Sequence, residues 1–480
     1  MHVTRLPVRL VADPRRVIAR PFMPGAPARV RAIVDRVRAL PDAVVSSMVA
    51  ALVTDYRQRH KDIRGIFRQN SAAALVLLGE NPEANEERRL LLGAYFTHEY
   101  ALESVALFNP SMVPHPDQNG VPGGAVRFIM SLRACGEGHI SSIEFRSGTI
   151  GADHRVTVDP PTRFALTARP VDDAFYDKES YLLKLAEMKA YRPAAEEVLS
   201  LLDASFTMSD LKYALDRCRP AEGVTPFKEL ADNMLWLAHS NYELDFSPDA
   251  ALSERVIFPV SESESRGIED ARFVRFTHPE GRVVYYATYT AYNGFRVLPQ
   301  LIETADFRHF KMNTLNGQCV QNKGMALFPR KIGDHFMMAS RLDGENIYLL
   351  RSANIHFWNE SVKVHGPKHP WEIVQVGNCG SPIETEAGWI LLTHGVGPMR
   401  QYWIGALLLD LEDPSRVLGE LSEPMLVPNA DERDGYVPNV VYSCGALRHG
   451  DHLVLPYAVS DSSTSVATVS IPELLARLRA

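Results

Sequence analysis

The sequence is poor in cysteine, has no long apolar run and carries no large excess of charge of either sign. Its 480 residues include only 5 cysteines, which lie far apart and form no Cys-x-x-Cys pair. This number and spacing argue against a disulfide framework and against a thiolate zinc site. We therefore expect reduced thiols and a cytoplasmic protein.

Other absences exclude further classes of protein. The apolar run over residues 72–79 is far shorter than the ~20 residues that span a bilayer, and the N-terminus has no secretory signal pattern. With 51 Lys+Arg against 58 Asp+Glu, the net charge of −7 offers no basic surface for nucleic acid. We expect neither a membrane nor a nucleic-acid partner.

Common catalytic and cofactor motifs are also missing. The chain has no P-loop, Rossmann or GxSxG pattern, and its 16 histidines show no HExxH and no usual ligand spacing. We therefore predict no metal and no bound cofactor.

Hydrophobic periodicity divides the chain into a helical start and a β-rich remainder. Apolar residues at helical spacing predict a helical N-terminal region over residues 1–99. Over residues 100–480, short β-branched and aromatic runs alternate with Gly, Pro and Asp turns, which is typical of an all-β domain. Residues 178–236 have a helical pattern again, and we interpret them as an insertion in the first repeat. These helical regions are candidates for a homo-oligomer interface.

A weak repeat of about 50 to 60 residues runs through the β-rich part. A strand leads into a short polar turn near residues 246, 304, 352, 410 and 470. Five such units of about four strands would form a five-bladed β-propeller. An array of β-sandwiches is the alternative.

Polar residues on the inner strands of a propeller line a central funnel. Charged, amide or phenol side chains interrupt apolar strands at Arg133, Glu269, Asp270, Arg272, Asn322, Lys323, Arg341, His394, Tyr436, Asn439 and Asp461. Their distribution over different repeats is what a funnel site assembled from several blades would show.

Asp270 is the sharpest single candidate, because it follows a glutamate just before a predicted strand. A neighbouring carboxylate raises the pKa of an acid, which suits acid catalysis; a structural pair with Arg272 is the alternative. Lys323, Arg341 and His394 form a second group that suits a phosphate dianion. The alternatives are a solvated blade edge for the two cations and a hydrogen-bonded core position for the histidine.

Several motifs of the β-rich part occur in a recognisable order. They are Gly-Ile-Glu-Asp-Ala-Arg ending at Arg272, Tyr-Thr-Ala-Tyr ending at Tyr292, Asn322-Lys323, Arg341, Thr-His-Gly-Val around His394, and Tyr436-Val-Pro-Asn-Val-Val. This set resembles glycoside hydrolase family 130, which contains β-mannoside phosphorylases and β-mannosidases on a five-bladed β-propeller. The resemblance covers about residues 108–474. It implies reversible, inverting phosphorolysis of a β-mannosyl oligosaccharide, with inorganic phosphate as co-substrate, to α-mannose 1-phosphate and a shortened acceptor.

The resemblance also implies a role for individual residues. Asp270 matches the catalytic acid, which protonates the glycosidic oxygen through the 3-hydroxyl of the mannosyl unit. The phosphate-binding positions correspond to Lys323, Arg341 and His394. The sugar-contacting positions lie near Asn109, Arg133, Tyr292, Tyr436 and Asp461, and we predict that Glu269, Arg272, Asn322 and Asn439 complete the substrate site.

The residues themselves favour a phosphorylase. Inverting hydrolysis needs two carboxyl groups, whereas phosphorolysis needs one acid and a cationic pocket. The chain departs from the family pattern at Gln375, where a lysine is usual, and at Gly324, where an acidic residue is usual. An inverting β-mannosidase that uses water, with Glu384 as a candidate base, and a non-catalytic carbohydrate-binding propeller are the alternatives.

Overall fold

The computed structural model of the protein describes residues 2–190, 193–220 and 225–480. This part of the chain forms thirty strands and nine α-helices, so the mainly β class predicted from the sequence is confirmed. Residues 191–192 and 221–224 of the predicted helical insertion lie outside the described residues.

The first part of the chain combines strands with a group of four helices. Its elements are β1 (Val3–Val11), β2 (Val17–Pro21), α1 (Pro27–Arg38), α2 (Asp42–Tyr56), α3 (Ile63–Leu77), α4 (Glu86–Tyr95), β3 (Thr97–Ala101), β4 (Ala106–Pro114), β5 (Val126–Cys135), β6 (Ser141–Ile150), β7 (Val156–Val158), β8 (Leu166–Thr167), β9 (Arg169–Pro170) and β10 (Tyr176–Asp177).

A second group of helices follows in the segment predicted to be helical. Its elements are α5 (Lys178–Glu187), α6 (Pro193–Ser200), β11 (Ser205–Phe206), α7 (Met208–Arg217) and α8 (Thr225–His239). These helices bury their own apolar cluster, which includes Leu185, Val198, Leu211 and Met234.

The remainder of the chain is almost entirely strand. Its elements are β12 (Tyr242–Asp245), β13 (Arg255–Ile257), β14 (Gly267–Thr277), β15 (Val283–Tyr292), β16 (Val297–Thr304), β17 (His309–Thr314), β18 (Ala326–Leu327), β19 (Phe336–Ser340), β20 (Ile347–Ser352), β21 (Glu360–His365), β22 (Gln375–Asn378), β23 (Ile383–Thr385), β24 (Gly388–Val396), β25 (Tyr402–Leu409), β26 (Val417–Glu420), β27 (Val441–Tyr442), β28 (Leu447–His449), β29 (His452–Val459), β30 (Ser463–Ser470) and the closing helix α9 (Ile471–Leu478).

The longer strands form four sheets. The largest has twelve strands along the path β4-β5-β6-β14-β15-β16-β17-β12-β9, with β7, β8 and β13 attached to it. The next two are β18-β19-β20-β21 and β22-β24-β25-β26, the latter with β23. The fourth, which we call the terminal sheet, is β1-β30-β29-β27 with β28. The two small sheets β2-β3 and β10-β11 complete the described strands.

The prediction that residues 1–99 are helical is wrong for residues 3–21, which form β1 and β2. Partly buried and exposed residues alternate along most of β1, as expected for an edge strand with one covered face. It pairs antiparallel with β30, from Val3 opposite Val469 to Val11 opposite Ser463. The partner strand lies more than 450 residues away, so local periodicity carried no signal for this pairing.

Side-chain caps explain where several helices begin. Asp62 accepts from the amide of Gly65 at the start of α3, and Asn85 accepts from Arg88 at the start of α4. At α7, Thr207 begins a reciprocal capping box. Such caps satisfy amide groups that have no partner within the helix. Among the described residues no single helix is long and apolar enough to cross a membrane; α1 and α2 meet that criterion only as a pair, bent by 108°.

Four buried ionisable side chains tie the N-terminal segment to the large sheet. The Arg16 guanidinium lies 2.9 Å from Glu103 Oε1 and 2.7 Å from Glu144 Oε2, and Arg146 lies 2.7 Å from Glu103 and 3.1 Å from Glu144. Burial and then the negative charge of Glu144 raise the pKa of Glu103 to about 8. The network fixes the β1–β2 connection against β6, so it couples the terminal sheet to the large sheet.

We expect Glu144→Gln to lower the free energy of unfolding by about 3 kcal/mol, because it leaves Arg16 and Arg146 short of one buried partner. The pKa of Glu103 should fall in the same variant, since the neighbouring negative charge is gone. Urea unfolding measures the first effect. Glu423→Gln, which breaks an exposed pair with Arg477, is the control and should cost less than about 1 kcal/mol. Equal losses in the two variants would contradict this account.

Candidate functional site

Residues of the candidate site lie on or beside strands from several parts of the chain. They are Asn109 on β4, Arg133 on β5, Asp270 and Arg272 on β14, Lys323 just before β18, Arg341 just after β19, Asn378 at the end of β22, His394 on β24, and Tyr442 on β27. Hydrogen bonds and electrostatic contacts connect these residues. The site is therefore assembled from segments that are far apart in the sequence.

Two β-bulges present Asn109 and Asp270. In β14, Glu269 pairs with Thr290 and Arg272 with Thr288, so two residues face one on β15. The same two-against-one pattern places Asn109 in a bulge of β4. The φ angles of Asn109 and Asp270 are +49° and +56°, in the left-handed region that Asn and Asp tolerate better than most residues. A bulge redirects a side chain out of the regular alternation, which brings these two together.

The Asp270 carboxylate lies in a buried, cationic environment. Its Oδ1 accepts from Asn109 Nδ2 at 2.6 Å and from Arg133 Nη1 at 3.3 Å. Burial by itself would raise the pKa of Asp270, but the charges of Arg133, Arg272 and Lys323 and the Asn109 hydrogen bond bring it below its ordinary value. The free site therefore holds Asp270 as the carboxylate at neutral pH.

Glu269 lies between two cations. Its Oε1 accepts from Arg133 Nη2 at 2.8 Å, and its Oε2 pairs with the Lys323 ammonium group. Arg133 is further fixed by Ser141 Oγ at 2.9 Å and by the ring of Phe108, 5.0 Å below the guanidinium. The charge of Glu269 is thus neutralised on both sides, which leaves Asp270 as the acid of this cluster with a free oxygen.

Among the described residues Arg272 forms no ion pair with Asp270. The structural Asp270–Arg272 pair, which was the alternative to a catalytic Asp270, is therefore not formed. Its Nη1 donates to the Asn378 carbonyl at 2.8 Å, and its Nη2 donates to the Tyr442 hydroxyl. The side chain is only 1% exposed. A Cβ at Gly324 would lie 3.4 Å from Nη2, so an acidic residue there would stand beside this guanidinium.

Arg341 and His394 form a pair. Arg341 Nη1 donates to His394 Nε2 at 3.3 Å, which places the imidazole proton on Nδ1. Burial, and then the charges of Arg341 and Arg272, lower the pKa of His394 well below its usual value. A Cβ at Gly377 would lie 2.4 Å from His394 Cε1 and 3.3 Å from Arg341 Cδ. Glycine at this position therefore permits the contact.

The cationic side of the site has unused hydrogen-bond donors. The buried Nε atoms of Arg272 and Arg341 have no hydrogen-bond partner within the described part of the chain. Unpaired buried donors are costly, so both atoms are candidates for hydrogen bonds to a ligand. Lys323 differs from these arginines, because its ammonium group is already paired with Glu269.

Among three further predicted residues, Asp461 has an electrostatic link to the centre. Burial, and then the negative charge of Asp270, raise the pKa of Asp461 to about 6. The Tyr436 side chain is 59% exposed and packs with its ring tilted against that of His139. Asn439 Oδ1 accepts from Arg433 at 2.7 Å, which engages it within its own loop. The hydrogen bonds of the described residues do not connect Tyr436 or Asn439 to Asp270.

Two further predicted residues lie near Lys323. The Lys323 ammonium lies 5.5 Å from the centre of the Tyr292 ring, whose hydroxyl donates to the Gly294 carbonyl. Asn322 has a φ of +66° and lines a very small cavity, of about 10 Å³, beside Asp270. Larger cavities lie along α5, α7 and α8, where the predicted site residues are not found.

Sequence reasoning missed several contacts of the site. Tyr442 bonds Arg272, and the ring of Tyr402 stacks on His394 at 5.7 Å. Arg400 partly offsets the raised pKa of Asp461. Tyr442 occurs just after the Val-Pro-Asn-Val-Val motif, which is the one signal that pointed toward it. The other two lie around a hairpin loop without a recognisable pattern.

Comparison with known proteins gives matches to one family of phosphorylases. The family model described as beta-1,4-mannooligosaccharide phosphorylase matches residues 248–480. A β-1,2-mannobiose phosphorylase of Listeria innocua is 31% identical over 229 residues, which are 46% of this chain and 63% of that protein. A 1,2-β-oligomannan phosphorylase of Thermoanaerobacter sp. is 33% identical over 227 residues, 46% of this chain and 75% of that protein.

A solved structure of the Listeria innocua enzyme with β-1,2-mannobiose aligns with 78% of this chain and 92% of its own. The identity is 22% and the TM-score is 0.46. The curated relatives, together with the family match, show that the chain belongs to glycoside hydrolase family 130. The family predicted from the motifs is therefore confirmed, and the predicted phosphorylase class agrees with the names of these relatives.

We expect Asn109→Gly to raise the pKa of Asp270, because it removes the shortest hydrogen bond to the carboxylate. Glycine keeps the left-handed backbone without strain. Carboxyl ¹³C NMR titration of aspartate-labelled protein measures the shift. Asn439→Gly, another asparagine at positive φ (63°), is the matched control and should leave Asp270 unchanged. An unshifted Asp270 in Asn109→Gly would contradict the assigned hydrogen bond.

Proposed function

We propose that the protein catalyses reversible, inverting phosphorolysis of a β-mannoside, with Asp270 as the general acid. One observation carries this proposal: a mostly buried acid lies beside the cations Arg272 and Arg341 and the neutral His394, and two guanidinium Nε donors there have no partner among the described residues. The phosphorylase names of its relatives support the same reaction.

In the proposed reaction a phosphate oxygen forms a bond to the anomeric carbon as the bond to the leaving oxygen breaks. The leaving oxygen takes a proton from Asp270, relayed through the 3-hydroxyl of the mannosyl unit. A proton of the new sugar phosphate then returns to the Asp270 carboxylate. The products are α-mannose 1-phosphate and the shortened acceptor. Asp270 takes up one proton from solvent when phosphate binds and releases it when the sugar phosphate leaves, so the free enzyme returns to its starting state.

Phosphate binding would favour the protonated form of Asp270, which this step needs. Asp270 is a carboxylate in the free site, partly because Arg272 lowers its pKa. A phosphate dianion bound to Arg272 and Arg341 would offset these positive charges and raise the pKa of Asp270. The same dianion would favour protonation of His394, which could then donate to it. Binding of phosphate, the nucleophile, would thus favour protonation of Asp270, the acid.

Water as the nucleophile is not favoured at Glu384, the base considered from the sequence, or at Glu269, because both carboxylates are engaged. Glu384 pairs with Arg330 at 2.6 Å and is partly exposed to solvent. Glu269 is neutralised by Arg133 and Lys323. An inverting hydrolase needs a free carboxylate facing the acid across the sugar, whereas phosphate needs only the cations.

We further propose that the sheets are blades of a five-bladed propeller and that residues 100–480 form the catalytic domain. The successive groups that begin at β4, β14, β18, β22 and β27 are the five blades in this arrangement. Pairing of β1 with β30 adds the outer strand of the last blade, which supports a closed ring. The sugar contacts of Asn109, Arg133, Glu269, Arg272, Tyr292, Asn322, Tyr436, Asn439 and Asp461, the cytoplasmic location and a homo-oligomer stay predictions.

A product assay tests the proposed reaction. Purified protein is incubated with β-1,2- and β-1,4-mannobiose and mannosyl-glucose, with and without inorganic phosphate. We expect mannose 1-phosphate only when phosphate is present, and the responding substrate identifies the linkage. Asp270→Asn should lower the rate by ~10²- to 10⁴-fold, the usual contribution of general acid catalysis. Free mannose at equal rates in both conditions would refute phosphorolysis, and near-wild-type turnover in Asp270→Asn would refute the acid.

We expect Arg341→Ala to raise the KM for phosphate by about 10- to 100-fold, the range for loss of a charged hydrogen bond. The KM for the mannoside should change little, since Arg341 lies on the phosphate side. Initial rates at varied phosphate measure this effect. Arg330→Ala, which removes an arginine from the Glu384 pair, is the matched control. An unchanged phosphate dependence in Arg341→Ala would remove this residue from the role.

A further inference from the structure

A group of three histidines and one aspartate lies outside the site described above. Among the described residues, ligand atoms of His154, Asp451 and His452 all lie within 4.8 Å of one another. The His154 and His452 rings are 4.0 Å apart between centroids, and His449 lies on the other side of His154. Imidazole and carboxylate are ligands that Zn²⁺ and similar divalent metals accept.

The hydrogen bonds orient His154 for ligation. His449 Nε2 lies 2.8 Å from the Gly124 carbonyl, which can only accept, so His449 Nε2 carries the proton. The neutral His449 Nδ1 then accepts from His154 Nδ1 at 3.0 Å. His154 Nε2 is consequently left with a lone pair, and it lies 3.7 Å from Asp451 Oδ1.

The hydrogen bond from His154 to His449 is of the kind found at metal-binding histidines. Ligating histidines usually donate their second ring nitrogen to a fixed acceptor, which sets the tautomer and the ring orientation. A neutral imidazole is the form that binds metal. At His154 the φ angle is +62°, so the backbone adopts a sparsely populated conformation to place this ring.

The cluster joins two sheets far from Asp270. His154 lies between β6 and β7 of the large sheet, whereas His449 ends β28 and His452 begins β29 of the terminal sheet. His452 is the first of the eight residues of β29, which span about 25 Å, and Asp461 follows the opposite end of the strand. A ligand held here would link the two sheets without contact with the active site.

We propose that His154, Asp451 and His452 bind one divalent transition metal ion, with Zn²⁺ as the best match, and that His449 positions His154. The ion fastens the β6–β7 turn to the β28–β29 turn and so stabilises the joint between the large and terminal sheets. The sequence predicted no metal, because His154 is almost 300 residues from the other ligands and His449-Gly-Asp-His452 alone is a weak pattern. The proposal is independent of the phosphorylase reaction.

Isothermal titration of the tag-free, metal-stripped full chain with Zn²⁺ tests the proposal. We expect one ion per chain at micromolar or tighter affinity and a higher melting temperature, since a ligand that binds only the folded state stabilises it. Visible absorption of bound Co²⁺ reports the ligand geometry. No saturable binding, or binding without any rise in melting temperature, would overturn the proposal.

Single substitutions test which residues bind the metal ion. His154→Asn, which keeps a residue tolerant of positive φ, and His452→Gln should each abolish the stoichiometric site. His449→Phe should weaken binding by about 10- to 100-fold, as loss of an outer partner does. His335→Gln removes a half-buried histidine just before another strand and is the matched control. Circular dichroism without metal checks that each variant is folded. Binding retained in both ligand variants, or lost equally in His335→Gln, would overturn the assignment.

Discussion

The contact between Asn109 and Asp270 is the constraint on which the rest of the site depends. Each residue occupies a β-bulge at positive φ, and each bulge turns a side chain out of a regular strand toward the other. Asparagine and aspartate accept this backbone at low cost, and the hydrogen bond between them is short, at 2.6 Å. Arg133 completes the arrangement, because it contacts the Asp270 and Glu269 carboxylates together.

The charges around this contact separate into two halves. On one side Glu269 pairs with Arg133 and Lys323, whereas Asp270 Oδ2 accepts no hydrogen bond from the described residues. On the other side Arg272, Arg341 and a neutral His394 have no carboxylate partner in the described part of the site. Gly324 contributes to this imbalance, since an acidic residue there would stand beside Arg272. A separation of acid from cations within one buried site suits a reaction between a sugar and a phosphate dianion.

The sequence was a better guide to which residues belong to the candidate site than to the contacts between them. Local motifs pointed to Asp270, Arg272, Arg341 and His394, and the alternation of short apolar runs with turns predicted that residues 100–480 are mainly strand. It did not predict that Lys323 pairs with Glu269, that Tyr442 bonds Arg272, or that β1 joins β30. These contacts are made between segments far apart in the chain, and no local pattern encodes them. The sequence did not predict the two β-bulges either, because one extra residue in a strand leaves the pattern of apolar and polar residues around it almost unchanged.

The central claim is that Arg272 and Arg341 form the phosphate site beside Asp270. A crystal structure of the protein with phosphate tests it most directly. The account predicts phosphate oxygens within hydrogen-bond distance of the Nε atoms of both arginines and close to His394. Phosphate bound at Lys323 in place of Glu269, with Arg272 and Arg341 left without contact to the anion, would contradict it.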